Sequence, residues 1–158
     1  MMRVGLGFDV HAFAAESVTR DLVLGGVVFD GERGLAGHSD ADVVAHAIAD
    51  ALLGASGLGD LGDHFPDTDP AWQDADSLDL LRRVTALVHD AGWRVENVDC
   101  VVVASSPRIA PRRSEMQDRL EAVVGAGVAV KAGRPEGLGA LGRGEGIACM
   151  AVALVERA

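Results

Sequence analysis

Asp9 and His11 stand two residues apart in the stretch RVGLGFDVH, Arg3 to His11. In an extended chain, residues i and i+2 point to one face, so a carboxylate and an imidazole lie side by side. Farther along, Asp42, His46 and Asp50 recur at i+4 steps, which on a helix places His46 between two carboxylates. Taken alone, each pattern has a plain reading: Asp9 as a turn cap, His46 as a solvated imidazole. Taken together they form a His2Asp set, three protein ligands with a fourth position open, the arrangement of catalytic rather than structural zinc. Asp42 or Asp50 would then accept from the second ring nitrogen of His46 and fix its tautomer.

These groups need a strand and a helix to hold them. Arg3 to His11 reads as a strand with glycines at 5 and 7. Ser39-Asp40-Ala41-Asp42 has the form of a capping box, which predicts a helix starting there. Behind it Val44, Ala47, Ile48, Ala51, Leu52 and Ala55 repeat at helical spacing and give the face that meets the core. Asp21 to Phe29 reads as two short strands around Gly25-Gly26. Gly59 to Gly62 and Phe65 to Pro70 have turn and loop composition. Ser77 to Ala91 is a second amphipathic helix, with Leu80, Leu81, Val84, Leu87 and Val88 inward and Gly92 as its stop. Val98 to Ala104 is a strand; a turn from Ser105 to Pro111 feeds a third helix ending at Val124, with Met116, Leu120 and Val123 inward. Val128 to Ala132 and Ile147 to Glu156 are the last strands.

Between those two strands lie six glycines in the fourteen residues from Gly133 to Gly146, which permit close approach of backbone to a ligand. Gly137-x-Gly139-x-x-Gly142 matches the dinucleotide fingerprint in letters only. The fingerprint requires a helix and further strands after the glycines, and here the chain runs straight into its terminal strand. The element order predicts an α/β layered fold: a single mixed sheet with helices packed on one face. Ile147 to Val155 is apolar enough to be buried on both faces, and a second copy of the chain is an economical cover for the far side, which predicts a cyclic homo-oligomer.

The bulk properties narrow the function. With 158 residues and 49% apolar composition the chain suffices for a single domain spanning 1–158. A net charge of −10, with Lys131 as the sole lysine, leaves no basic stripe for nucleic acid or anionic lipid. A phosphorylated small molecule would need local charge compensation, most simply a divalent cation. Cys100 and Cys149 sit in apolar runs without CxxC spacing and read as reduced, buried and structural. The longest apolar run is about half of the roughly 20 residues a membrane span needs, and no apolar leader precedes Asp9, so the expected location is cytoplasmic.

Four motifs, GFDVH at 7 to 11, GHSDADVVAHAIADALLGA at 37 to 55, GDLGDHFPDTDP at 59 to 70 and GRGEGIA at 142 to 148, closely resemble the 2-C-methyl-D-erythritol 2,4-cyclodiphosphate synthases of non-mevalonate isoprenoid biosynthesis. The resemblance runs over nearly the whole chain. It implies a homotrimer with active sites between subunits, which would bury the second sheet face. It also implies a reaction: the 2-phosphate of 4-diphosphocytidyl-2-C-methyl-D-erythritol 2-phosphate attacks the β-phosphate, releasing CMP and closing the cyclodiphosphate. Asp9, His11 and His46 match the zinc ligands, one ion per subunit, and the Asp9-Val10-His11 segment belongs to the substrate surface. His38 and Ser39 match the pair contacting the 2-phosphate, His38 as transition-state stabiliser.

The same resemblance makes Asp60, Leu61 and Gly62, with Phe65, Pro66, Asp67, Thr68 and Asp69, the erythritol-facing segment. Ala104, Ser105, Ser106, Pro107, Arg108, Ile109 and Ala110 match the cytosine pocket of an adjacent subunit. Glu136 matches the carboxylate holding magnesium or manganese between the phosphates, and Arg143 the arginine of the GRGEG turn. One departure stands out: the family has a threonine run where this chain has Gly133-Arg134-Pro135. Proline removes an amide donor and the hydroxyls are gone. Arg134 is expected to supply a guanidinium to phosphate in their place, as a second catalytic residue beside His38. Ala140 replaces a bulkier side chain, and Leu6 stands where many members carry histidine. Two alternatives follow: a slow or inactive trimeric nucleotide-binding homologue, and a generic zinc-dependent phosphohydrolase.

Overall fold

A computed structural model describes residues 1–158. Strand β1 (Met2–Ala12) pairs antiparallel with the last strand β6 (Gly146–Arg157), β6 pairs antiparallel with β4 (Trp93–Val103), and β4 runs parallel to β5 (Gly127–Gly133). The result is one mixed four-stranded sheet in the order β1-β6-β4-β5. A separate hairpin joins β2 (Leu22–Leu24) to β3 (Val27–Phe29) through Gly25-Gly26, both at positive φ as a two-residue hairpin turn demands. β4 starts five residues earlier than the apolar run suggests, because Trp93 and Val95 alternate inward with the polar residues between them facing out.

Helix α1 (Val43–Ser56) lies on β1 and β6, α4 (Arg113–Val124) lies on β5, and α3 (Ser77–Asp90) packs against both helices. The inner side of α4 ends on Val124 rather than Val123, which is only partly buried. The segment expected to be all loop contains α2 (Leu61–His64), a single turn begun by a reciprocal cap between Asp60 and Asp63, then a 3-10 turn at Pro70–Trp72. Within the glycine-rich stretch Gly139–Gly142 forms one helical turn, α5, which passes directly into β6 and leaves no room for a dinucleotide unit.

α1 starts three residues later than the apparent capping box. Asp42, not Ser39, is its N-cap, accepting from the amides of Val44 and Ala45. The same carboxylate, wholly buried, accepts from Gly25 and Gly26 at 2.9 and 2.7 Å. It ties the hairpin turn to the helix, so the polar face that Asp42 was expected to share with His46 does not exist. α1 is buried almost all round, including Val43, Ala45, Ala49 and Leu53 opposite the predicted face.

The inner face of β1 carries Gly5, Gly7, Asp9 and His11. A methyl group on Gly7 would lie 1.8 Å from the Ala47 carbonyl oxygen, and one on Gly5 1.9 Å from that of Ala51. Strand and helix backbones therefore touch, and the next inward residues of β1 meet the first turn of α1. Beyond Ala148, β6 is buried mainly on one face in this chain: Cys149, Ala151, Ala153 and Val155 point inward, while Met150 and Val152 are 45% and 44% exposed. With Val4, Leu6 and Phe8 of β1 they form an exposed apolar surface.

Candidate functional site

Close packing of β1 on α1 brings three side chains to one point. Asp9 Oδ2 lies 3.1 Å from His11 Nε2 and 3.1 Å from His46 Nδ1, and the three ligand atoms all fall within 4.8 Å of one another. Tetrahedral zinc with ligands near 2.0–2.1 Å needs separations of about 3.3 Å. The spacing suits such an ion. Burial works to raise the Asp9 carboxyl, but the hydrogen bonds and charges of His11 and His46 outweigh it and hold it well below the usual carboxylate range. The hydrogen bond to Asp9 raises His11 against the opposing effect of its own burial.

The outer edge of each ring decides what faces inward. His11 Nδ1 donates to the carbonyl of Ala36 at 2.5 Å; a carbonyl can only accept, which leaves Nε2, 3.1 Å from Asp9, as the nitrogen that can give up its proton for a metal ion. His46 Nε2 lies 2.8 Å from Ser77 Oγ and 3.2 Å from Ser39 Oγ. Neither Asp42 nor Asp50 reaches it, contrary to the i+4 reading: Asp42 is engaged by four amides, and Asp50 accepts from Leu61 at 2.7 Å. Gly37 lies so near His11 that a methyl there would be 2.9 Å from its Cε1 atom.

Beside this cluster opens a cavity of about 460 Å³ lined by His11, Gly37, His38, Ser39, His46, Leu61, Gly62, Phe65, Pro66, Asp67, Trp72 and Leu80. The segment carrying His38 and Ser39 is held at both ends. Arg20 donates to the carbonyls of Gly37 and Ser39, the amide of Asp74 to that of His38, and the amide of Asp40 to that of Ala75. Ala41, at φ 58°, makes the left-handed turn into α1 with Ser39 Oγ accepting its amide. A non-glycine residue in that region costs about 1–2 kcal/mol, offset here by these bonds. His38 Nε2 donates to the Asp69 carbonyl at 3.0 Å, which pins the acidic loop across the site.

The other sequence-picked residues divide into two groups. Asp60, Thr68 and Asp69 belong to the segment that borders the cavity but do not line it; Asp60 caps α2 and Asp69 caps the 3-10 turn. Ala104 to Ala110, Gly133 to Glu136, Ala140 and Arg143 lie elsewhere. Register places Val10, Ala148, Val103 and Gly133 in one row across the sheet. Gly133 is therefore at the same sheet end as His11 but three strand spacings away, about 14 Å. Ser105, Ser106, Arg108, Arg134, Glu136, Ala140 and Arg143 are exposed there, while Ala104, Pro107 and Ile109 are buried supports. Ser105 Oγ donates to the Leu141 carbonyl, and Arg143 pairs with Glu145 at 2.6 Å.

Sequence reasoning missed Ser77, Asp40, Trp72 and Leu80. Ser77 was visible only as a helix start and Asp40 as part of a cap; nothing in their spacing from His46 announces contact. Cys100 and Cys149 are free and buried.

A sequence model of the YgbB family matches residues 2–156. The 2-C-methyl-D-erythritol 2,4-cyclodiphosphate synthase of Rubrobacter xylanophilus is 56% identical over 159 residues, 99% of this chain and 96% of that protein. Among solved structures, the bifunctional IspDF of Campylobacter jejuni aligns with a TM-score of 0.94 at 37% identity, over all of this chain and 43% of that one. IspF of Plasmodium falciparum in its CDP complex aligns with a TM-score of 0.84 at 30% identity, over 99% and 96%.

Proposed function

The chain belongs to the YgbB family and has the family's role as a 2-C-methyl-D-erythritol 2,4-cyclodiphosphate synthase, a metal-dependent phosphorus-oxygen lyase of isoprenoid biosynthesis, and on that premise we propose how its residues divide the work. Asp9, His11 and His46 hold zinc. When bound, that ion supplies Lewis-acid polarisation of a substrate phosphoryl oxygen, worth several kcal/mol of charge stabilisation. The single observation carrying this assignment is the convergence of one carboxylate oxygen and two imidazole nitrogens beside the cavity, both nitrogens 3.1 Å from the Asp9 oxygen and all three atoms within 4.8 Å of one another.

His38 and Ser39 receive the 2-phosphate, held in place by the Arg20 clamp and by Asp69. Leu61, Gly62, Phe65, Pro66 and Asp67 enclose the erythritol. One oxygen of the 2-phosphate forms a bond to the β-phosphorus while the bond to the α–β bridging oxygen breaks, and CMP leaves with that oxygen. The nucleophile is already an anion, so no general base is required and the protein's part is positioning and charge neutralisation.

None of the residues expected to hold the cytidine end lines one chain's cavity. We assign it to Ala104–Ala110 of an adjacent subunit, with Gly133, Arg134, Pro135 and Glu136 at the diphosphate and Glu136 sharing a magnesium or manganese ion. A homotrimer closed through the exposed apolar faces of β1 and β6 supplies that neighbour and covers Val4, Leu6, Phe8, Met150 and Val152. Residues 1–158 act as one domain in this reading. No helix is long and apolar enough to cross a membrane, and the reaction is placed in the cytoplasm.

Incubation of the protein with the cytidyl substrate, zinc and magnesium, followed by phosphorus NMR, tests the assignment. Equal amounts of CMP and cyclic diphosphate are expected. Linear products would indicate a phosphohydrolase, and binding without CMP release would indicate a homologue disabled by Gly133-Arg134-Pro135.

A further inference from the structure

Ser77 is 1% exposed and begins α3, thirty-one residues from the histidine it touches. Its backbone amide donates to Asp40 Oδ2 at 3.0 Å, and its hydroxyl donates to Asp40 Oδ1. Asp40 is fixed in turn, its Oδ1 accepting the amide of Asp42 at 3.1 Å. With its proton committed to a carboxylate, Ser77 Oγ can meet His46 Nε2 only with a lone pair. A 2.8 Å contact between those atoms therefore requires the proton on Nε2. In the neutral ring Nδ1 then carries the lone pair, and it is Nδ1 that lies 3.1 Å from Asp9, where an ion would take the place of the proton otherwise shared with the carboxylate.

Ser39, the other neighbour of Nε2 at 3.2 Å, cannot impose this direction. It accepts the Ala41 amide and keeps its own proton free, so alone it could donate to Nε2 and move the imidazole proton to Nδ1, against Asp9. Such a tautomer would satisfy Asp9 without an ion and would block coordination. His46 is 8% exposed, so solvent has little access to correct it.

We infer that Ser77, oriented by Asp40, is a positioning residue that fixes the tautomer of His46 and so keeps Nδ1 open as a metal ligand. The inference rests on the reading of Asp9, His11 and His46 as the zinc site. Ser77 touches no reacting atom; it acts through His46. Outer-sphere partners of metal-bound histidine typically change affinity about 10–100-fold when removed.

The experiment compares wild type, Ser77→Ala and Ser77→Thr, each as full-length protein. Zinc affinity is measured by chelator competition, and the His46 Nε2 proton is followed by NMR in zinc-loaded, histidine-labelled protein. Wild type is expected to show a protected Nε2 proton. Ser77→Ala is expected to lose about 10–100-fold in affinity and the protection of that proton, with circular dichroism unchanged. Ser77→Thr, which keeps the hydroxyl, is expected to retain both. Wild-type affinity in Ser77→Ala overturns the inference while leaving the zinc site intact, and so does an equal loss in a folded Ser77→Thr. A wild type that binds no zinc overturns the site itself. Should Ser77→Thr fail to fold, Ser77→Ala still decides through the proton signal.

Discussion

Gly7 of β1 and Ala47 of α1 touch backbone to backbone with no room for a methyl group: a Cβ on Gly7 would sit 1.8 Å from the Ala47 carbonyl oxygen and 2.7 Å from the Ala51 amide nitrogen. This contact sets the strand-to-helix distance, and that distance decides whether Asp9 and His46 share an ion. Gly7→Ala is expected to force the elements apart, destabilising the fold at or above the upper end of the roughly 1–3 kcal/mol that overpacking costs, with loss of zinc affinity. Urea unfolding and chelator titration check it. An unchanged midpoint would show that the helix can yield without consequence.

His46→Ala removes one of three ligands. The purified variant is expected to contain no stoichiometric zinc and to release no CMP. Metal content equal to wild type, read by elemental analysis, would take His46 out of the ligand set.

Arg134→Ala addresses the Gly133-Arg134-Pro135 loop proposed to serve the diphosphate. If the guanidinium serves phosphate, its loss removes a charged hydrogen bond of about 1.5–3 kcal/mol, which is tenfold or more in kcat/KM. Unaltered kinetics would show that the Gly133-Arg134-Pro135 loop contributes through its backbone alone.

Asp42 offers a pH signature separate from the metal ligands. Complete burial and the charge of Asp40 push its carboxyl from an ordinary 3.8 up to about 6, against the pull of the Gly26, Gly25 and Ala45 amides. Between those values the folded chain holds a proton that the unfolded chain has released, so this group's contribution to stability is full at lower pH and is lost as pH rises through about 6. Asp9, depressed, works in the opposite sense at lower pH. The difference between wild type and Asp42→Asn isolates Asp42, and it is expected to narrow as pH rises through the window. A flat difference across denaturant titrations would contradict the shift.

Leu6 is 70% exposed in the single chain, at the centre of the apolar face of β1. Leu6→Glu is expected to convert a trimer to monomers in sedimentation and to abolish turnover while leaving zinc binding, since the ligands come from one chain. A trimer surviving the substitution would place the interface elsewhere.

Much of the fold was legible because its signals are local. The spacing of Val44, Ala47, Ile48, Ala51 and Leu52 announces a helix, and Gly25-Gly26 between apolar pairs announces a hairpin. Asp9 and His11 share a face by strand geometry alone. What failed were local signals with competing uses: Ser39-Asp40-Ala41-Asp42 spells a cap twice over, and the buried one, Asp42, won because it satisfies four amides at once. The single turns at Leu61–His64 and Gly139–Gly142 are too short for periodicity to register.

The sequence by itself determined the ligand types and the faces they occupy, since side-chain direction in regular structure follows from backbone period. Only the tertiary structure decided which ring nitrogen of His46 faces Asp9. That choice depends on Ser77 and Asp40, which different segments carry to the far side of the imidazole, and no spacing along the chain encodes a hydrogen bond between elements that meet only when packed.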